Sequence, residues 1–323
     1  MMQRRTFLAS TAAALAASHA VGAQSRIPRL GVIMHGGPYA AAINGLRDGL
    51  KVFGMEERAQ FVFNVRDTKG DPASVAAAAR SLEAEKVDLI FAVTTGATLA
   101  AMQNTTNVPI VFYAGSDPMA LGLIESFAKP GVRLTGVYSR FADLPAKRLQ
   151  LLTEIIPGVR RVLTFFNPSS PVNQRSAMMA RDAARQLKIE IVERPVESVE
   201  KLQASLRAIQ PGEVDAFFNL SDALVISRAG FVAEAALAIN LPTMFADKES
   251  VSMGVLAGYG GSYYEAGRLA ARHVRSVVLG ANPGNVPVEQ YDRLGFFINL
   301  KTAKALGLRI PPALQLRADE VIE

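Results

Sequence analysis

The chain has 323 residues, half of them hydrophobic, which is enough for two domains with substantial cores. It has no cysteine, which excludes disulfide staples, thiol chemistry and thiolate metal sites. The formal charge is +6 without a run of Lys and Arg, so a nucleic-acid partner has no electrostatic footprint, while a mild pull on anionic ligands is allowed.

Residues 1–23, MMQRRTFLASTAAALAASHAVGA, read as a signal peptide. Arg4 and Arg5 supply a positive start, Phe7 to Ala17 is a short Ala-rich apolar run, and Val21-Gly22-Ala23 fits a small-x-small cleavage site. The run is too short for a bilayer core of about 30 Å, so a permanent anchor is not expected. Cleavage near Ala23 would leave a mature chain from Gln24 that works in the periplasm, with no cysteine to carry a lipid. Arg4-Arg5-Thr6-Phe7-Leu8 also resembles a twin-arginine signal, beside the general secretory route.

Short β-rich runs then alternate with helical stretches, the signature of parallel α/β units. Strands are predicted at Leu30 to Met34, Phe61 to Val65, Leu89 to Val93 and Pro109 to Tyr113. Helices are predicted from about Tyr39 to Phe53 and after Asp71, where Pro72 sits in the first turn. The pattern restarts with strands at Arg161 to Phe166, Ile189 to Val192, Ala216 to Asn219 and Thr243 to Phe245. Two similar sets in tandem predict two lobes, joined near Gly136 to Ala146, with a helix starting around Asp143. A late helix, Tyr263 to Leu279, carries the apolar stripe Leu269, Val274, Val277 and Val278 and is expected to return to the first lobe. The expected lobes are 24–140 plus about 261–285, and 141–260 plus about 286–323.

Right-handed crossovers place the carboxyl ends of the strands on one edge of each sheet, where open α/β sheets bind ligands. Small, hydroxylated, amide and aromatic residues recur there. Thr94, Thr95 and Ser116 offer hydroxyl donors, and Asp117 or Asp222 can hold an ammonium group. Tyr39, Tyr113 and Tyr259 can stack on a planar ligand or sit half-buried in the core. Several of these segments precede helices, whose N–H groups and positive ends suit a carboxylate. Each such residue is also a natural cap or turn former, and only the recurrence at so many strand ends points to a site.

Catalytic signals are poor. Of the histidines beyond the leader, His35 lies at the cleft edge and His273 falls between Arg272 and Arg275, on an expected solvated face. They do not make a usual zinc site. Ser116 lacks the second glycine of a nucleophile elbow, and no phosphate-binding loop is present. No catalytic residue, metal or cofactor is expected.

Three segments carry a resemblance: VPIVFYAGSDPMALGLIESFAKPGVRLTGV (108–137), KRLQLLTEIIPGVRRVLTFFNPSSP (147–171) and the tail INLKTAKALGLRIPPALQLRADEVIE (298–323). They resemble the extracytoplasmic solute-binding proteins of ABC importers, a family with tryptophan- and tyrosine-binding members. The resemblance implies a type I periplasmic binding fold, two doubly wound α/β lobes joined by hinge strands around a ligand cleft. It implies ligand contacts in the segments Thr94-Thr95, Tyr113 to Asp117, Asn167, Asn219 to Asp222 (with Ser221) and the loop at Asp247. It also implies a small organic ligand, an amino acid or aromatic carboxylate among the options. The implied partner is an inner-membrane permease with a cytoplasmic ATPase, and the expected state is a monomer. Relative to the family, this chain departs at Tyr113-Ala114-Gly115-Ser116 and at Asp247-Lys248-Glu249-Ser250. An exported sensor presenting its bound state to a membrane receptor would use the same cleft, and a hydrolase or isomerase on this scaffold is a third reading.

Overall fold

Apolar runs without polar alternation bury both faces of a strand, and this chain places them at the centre of two sheets. The computed structural model describes residues 26–131 and 133–323; the expected leader, 1–23, lies outside the described residues. In chain order the first set is β1 (Arg29–Met34), α1 (Ala40–Val52), β2 (Val62–Asp67), α2 (Pro72–Ala84), β3 (Leu89–Val93), α3 (Thr95–Asn104), β4 (Ile110–Ala114) and β5 (Leu134–Tyr138). The second begins with α4 (Pro145–Ile155), β6 (Arg161–Phe166), α5 (Pro171–Leu187), β7 (Glu190–Pro195) and α6 (Val199–Arg207). It continues through β8 (Ala216–Phe218), α7 (Ala223–Ser227), α8 (Ala229–Ala238), β9 (Thr243–Asp247), α9 (Lys248–Ser252) and β10 (Ala257–Gly261). α10 (Tyr263–Val278) and β11 (Glu289–Gln290) return to the first lobe. β12 (Gly295–Asn299), α11 (Leu300–Ala305), α12 (Pro312–Arg317) and β13 (Glu320–Ile322) complete the second.

The first sheet runs β11-β5-β4-β3-β1-β2 and is parallel throughout. The second runs β13-β12-β10-β9-β8-β6-β7, with only β12 antiparallel to its neighbour β10. In each sheet the strand order reverses beside the founding strand, between β1 and β3 and between β6 and β8. Such reversal points open a crevice at the carboxyl ends, where neighbouring connections leave to opposite faces. Residues 35 and 94 sit at the first crevice, residues 167 and 219–222 at the second.

Three segments cross between the sheets: after β5, between β10 and α10, and after β11. The pairing of Glu289 with Val137 keeps the chain in the first sheet through Gln290, past the crossing near 286 expected from sequence. The helix expected from Asp143 is a single 3-10 turn at Phe141–Asp143, and α4 starts only at Pro145. A proline disfavours helical backbone in the residue before it, which delays the start.

α10 packs closely along α1, where Gly45, Gly49 and Gly267 let the two backbones approach, and its buried residues include Ala266, Ala270, Val274 and Val277. His273 belongs to that buried face and not to a solvated one. The chain at 287 folds over it, and its Nε2 lies 3.1 Å from the Pro287 carbonyl. Gly258 to Gly260 also differ from the sequence reading: they lie within β10 and not after a strand. Among the described residues, no helix is long and apolar enough to cross a membrane.

Candidate functional site

Between the two crevices lies a cavity of about 420 Å³. Its first-lobe wall starts with His35 after β1 and Thr94 to Gly96 after β3. Thr94 caps α3, accepting the Ala97 N–H at 3.1 Å. It does so at φ 110° and ψ 156°, a region that a β-branched residue rarely adopts. A hydrogen-bond relay fixes the protonation of His35. The Thr68 hydroxyl donates to the Met34 carbonyl at 3.0 Å, so at 2.9 Å it accepts from His35 Nδ1–H. His35 Nε2 then holds a lone pair and accepts the Thr94 hydroxyl proton at 3.2 Å. Burial holds the His35 pKa down at about 4, against a smaller upward pull from Asp67, so the ring stays neutral. The Thr94 hydroxyl is thereby engaged on both sides. Thr95 accepts the Gly115 N–H at 3.1 Å and keeps its own hydroxyl proton available.

The floor is aromatic. Tyr39 and Tyr263 meet at 4.6 Å between ring centroids, and Tyr113 meets Tyr263 edge-on at 6.0 Å. All three are buried, and desolvation pushes their hydroxyls well above the ordinary tyrosine pKa, so they stay neutral. The Tyr113 hydroxyl lies 3.1 Å from Ser139 Oγ. Phe141, Leu99, Val172, Leu224 and Ile226 extend the apolar surface.

The second-lobe wall is built from the N-terminus of α5 and from Asn167, Ser221 and Asp222. Asp222 caps α7 through Val225 N at 3.1 Å and also accepts the Asn167 N–H at 3.0 Å, tying the loops after β6 and β8 together. Burial raises its pKa, with these backbone bonds opposing. Ser221 sits at φ 60°, and its Oγ is buried with no partner within the protein. Asn173, in the first turn of α5, turns a buried amide side chain to the cavity wall.

The structure brings Tyr39, Thr94, Thr95, Tyr113, Ser116, Asn167, Ser221 and Asp222 together around one cavity. Four of the sequence candidates lie outside its lining. Asp117 instead holds its own turn, accepting Met119 N at 2.9 Å and Ala120 N at 3.2 Å. Asn219 accepts Ser221 N at 2.8 Å. Asp247 caps α9 through Ser250 N at 2.7 Å and Ser250 Oγ at 2.9 Å. Tyr259 packs within β10 against the second lobe's core.

His35, Phe141, Asn173 and Tyr263 line the cavity but were not among the candidates. His35 and Tyr263 carried a signal, one directly after a strand and the other directly after a Ser cap. Arg148 carried none: mid-helix in α4, it is fully buried, with Nη1 donating to the Phe141 carbonyl at 3.1 Å. Desolvation lowers its pKa to about 10, which leaves it charged at neutral pH.

Among the described lining residues there is one carboxylate, Asp222, and no Lys or Arg. Among the described residues no cluster of His, Cys, Asp or Glu is arranged to hold a metal. Two doubly wound lobes with a polar-edged cavity at facing reversal points define a ligand-binding protein of the type I periplasmic fold. The chain belongs to the ABC transporter substrate binding protein family, whose model matches residues 30–322. This is a solute-binding class without enzymatic activity, which acts outside the cytoplasm and serves an ABC permease.

The chain is 26% identical over 280 residues to a tyrosine-binding protein of Clostridioides difficile, covering 87% of this chain and 79% of that one. A solved Vibrio cholerae conserved domain protein is 28% identical, with a TM-score of 0.81 over 92% of this chain and 100% of that one. A Streptococcus pneumonia ABC domain in complex with L-Trp superposes with a TM-score of 0.79 at 22% identity, over 91% and 99%.

Proposed function

We propose that this chain is exported by its leader and captures an amino acid with an aromatic or large apolar side chain, delivering it to the permease of an ABC importer. The observation that carries the ligand class is the charge pattern of the cavity. A wall with one buried carboxylate and no side-chain cation favours a ligand that brings its own positive charge. The N-termini of α3 and α5 on the same cavity favour a negative group, received by backbone N–H and the Thr95 hydroxyl. Both preferences are met by a zwitterion. A ligand ammonium at Asp222 would also offset the burial that raises its pKa. The aromatic floor then suits the side chain, and the names of two relatives point the same way.

In this reading the protein is a monomer and the permease works with a cytoplasmic ATPase. Capture draws the lobes together about the three crossing segments. Calorimetric titration with L-tyrosine, L-tryptophan and L-phenylalanine tests it, beside tyramine and N-acetyl-tyrosine, which each lack one charge. At least one amino acid is expected to bind, and loss of either charge to weaken binding by about tenfold or more. N-acetyl-tyrosine binding as well as tyrosine, or binding of none of the amino acids, would overturn the ligand class.

A further inference from the structure

The lobes also touch beside the cavity, through residues outside the three crossing segments. Gly37 follows β1, Lys69 and Gly70 follow β2, and Ser227 and Arg228 end α7 in the other lobe. Arg228 Nη2 donates to the Lys69 carbonyl at 2.8 Å. Gly37 and Gly70 have φ 56° and 81°. A Cβ on Gly37 would overlap the Ser227 carbonyl, and one on Gly70 would overlap Ser227 Oγ. That oxygen is held in place by donating to Leu224 O at 2.7 Å.

We infer that Gly37 and Gly70 form a socket for Ser227, and that this seat sets how long the cleft stays shut. The link to the cavity is α7 itself. Asp222 caps its start, Leu224 and Ile226 line the cavity, and Ser227 ends it, all within a five-residue helix and its cap. A helix that short spans roughly 7–8 Å and moves as one piece. A ligand that positions Asp222 therefore positions Ser227, and the backbone fit beside the cavity resists reopening. Gly37 lies outside the cavity lining and Gly70 forms part of it, and both act here as positioning residues that set the ligand's rate of escape.

Positive φ alone also favours glycine, so the test needs a control with strain but no neighbour. Gly54 provides it, at φ 74° with nothing within 4 Å of its Cβ position. The chain has no cysteine, so an introduced pair reports cleanly. A Cβ on Gly70 would stand 3.2 Å from Ser227 Cβ, slightly tighter than the 3.5–4.5 Å span of a disulfide, so small relief allows the bond. Oxidation of the Gly70→Cys/Ser227→Cys chain without ligand is expected to cross-link the lobes. Adding Gly37→Ala should slow that reaction by about fivefold or more, and adding Gly54→Ala should leave it unchanged. This comparison is decided whether or not an amino acid binds, so it stands apart from the ligand class, on which only the next readout rests. With L-tyrosine or L-tryptophan as the probe, Gly37→Ala in the cysteine-free chain should raise koff by about fivefold or more and leave kon unchanged. Equal slowing by both alanines, or a folded cysteine pair that does not cross-link, would overturn the socket.

Discussion

The two walls of the cavity treat their polar groups differently. On the first lobe, Thr68, His35 and Thr94 form a closed relay, and Tyr113 is tied to Ser139. On the second, Ser221 Oγ is left without a protein partner, and Asp222 is a buried carboxylate without a side-chain cation on the wall. Buried polar groups cost stability unless satisfied, so the first wall is the more nearly satisfied surface and the second leaves groups that a ligand of the proposed class would complete. On the proposed reading the second lobe recognises the ligand ammonium through Asp222, both lobes offer helix N-termini to the carboxylate, and the aromatic floor belongs to the first.

The largest expected effect separates the lobes by pH. His35 and His273, both in the first lobe, are held at about 4 by burial, below the 6.5 of an exposed histidine. Between those values the unfolded chain binds more protons, so their contribution is lost as pH falls from 6.5 to 4, on the order of 3 kcal/mol per histidine over the window. In the second lobe burial raises Asp222, and raises Asp247 to about 7, with Glu249 pushing Asp247 the same way. For Asp247 the folded state binds more protons between 3.8 and 7, and the raised Asp222 acts in the same direction, so these two buried carboxyls add stability in acid. Hydrogen exchange at pH 5 and pH 7, corrected for intrinsic rates, should show β1, β3 and α10 losing protection in acid while β8 and β9 hold theirs. A uniform loss over both sheets would break the comparison.

Next comes the charged contact. Asp222→Asn should weaken amino-acid binding roughly 10- to 150-fold, the loss of a charge-assisted bond of about 1.5–3 kcal/mol. Its retained carbonyl oxygen can still accept one of the two backbone N–H groups, so stability should fall by only about 1 kcal/mol. Thr95→Val on the opposite wall should cost only a few-fold in affinity, about 1 kcal/mol or less. Titration of both variants sharpens the contrast, and equal losses would remove it.

The smallest effect tests the strain in the first wall. Thr94→Ala removes the cap and keeps φ 110°, while Thr94→Gly removes the cap and relieves the backbone. The glycine variant should be the more stable by about 1–2 kcal/mol, the reverse of the usual preference near a helix. Denaturant melts of the pair decide this. An alanine variant as stable as the glycine one would mean that Thr94 stores no strain.

Much of the framework was legible locally. Leu89–Val93 and the run into Tyr113 are apolar throughout and became buried parallel strands. Asp71 with Pro72 behind it marked a helix start, and Asp71 Oδ1 accepts Ala73 N at 3.0 Å. The site was legible only in part. Asp117, Asp222 and Asp247 look alike in sequence, each an acid at a strand end. All three accept local backbone N–H groups, and only Asp222 also faces the cavity. Tyr259 and Tyr263 sit four residues apart, one inside a strand against the core and the other on the cavity floor.

The alternating strands and helices through β9, the late helix, the two-lobed plan and the polar strand ends follow from the sequence by itself, because periodicity, capping and turn chemistry act over a few residues. Which of those polar groups share a wall was decided by the tertiary structure. So were the burial of His273 and Arg148 and the seating of Ser227 against Gly37. The last joins segments 190 positions apart in sequence, and all depend on how crossovers and hinge crossings bring elements together, a geometry that local spacing does not encode.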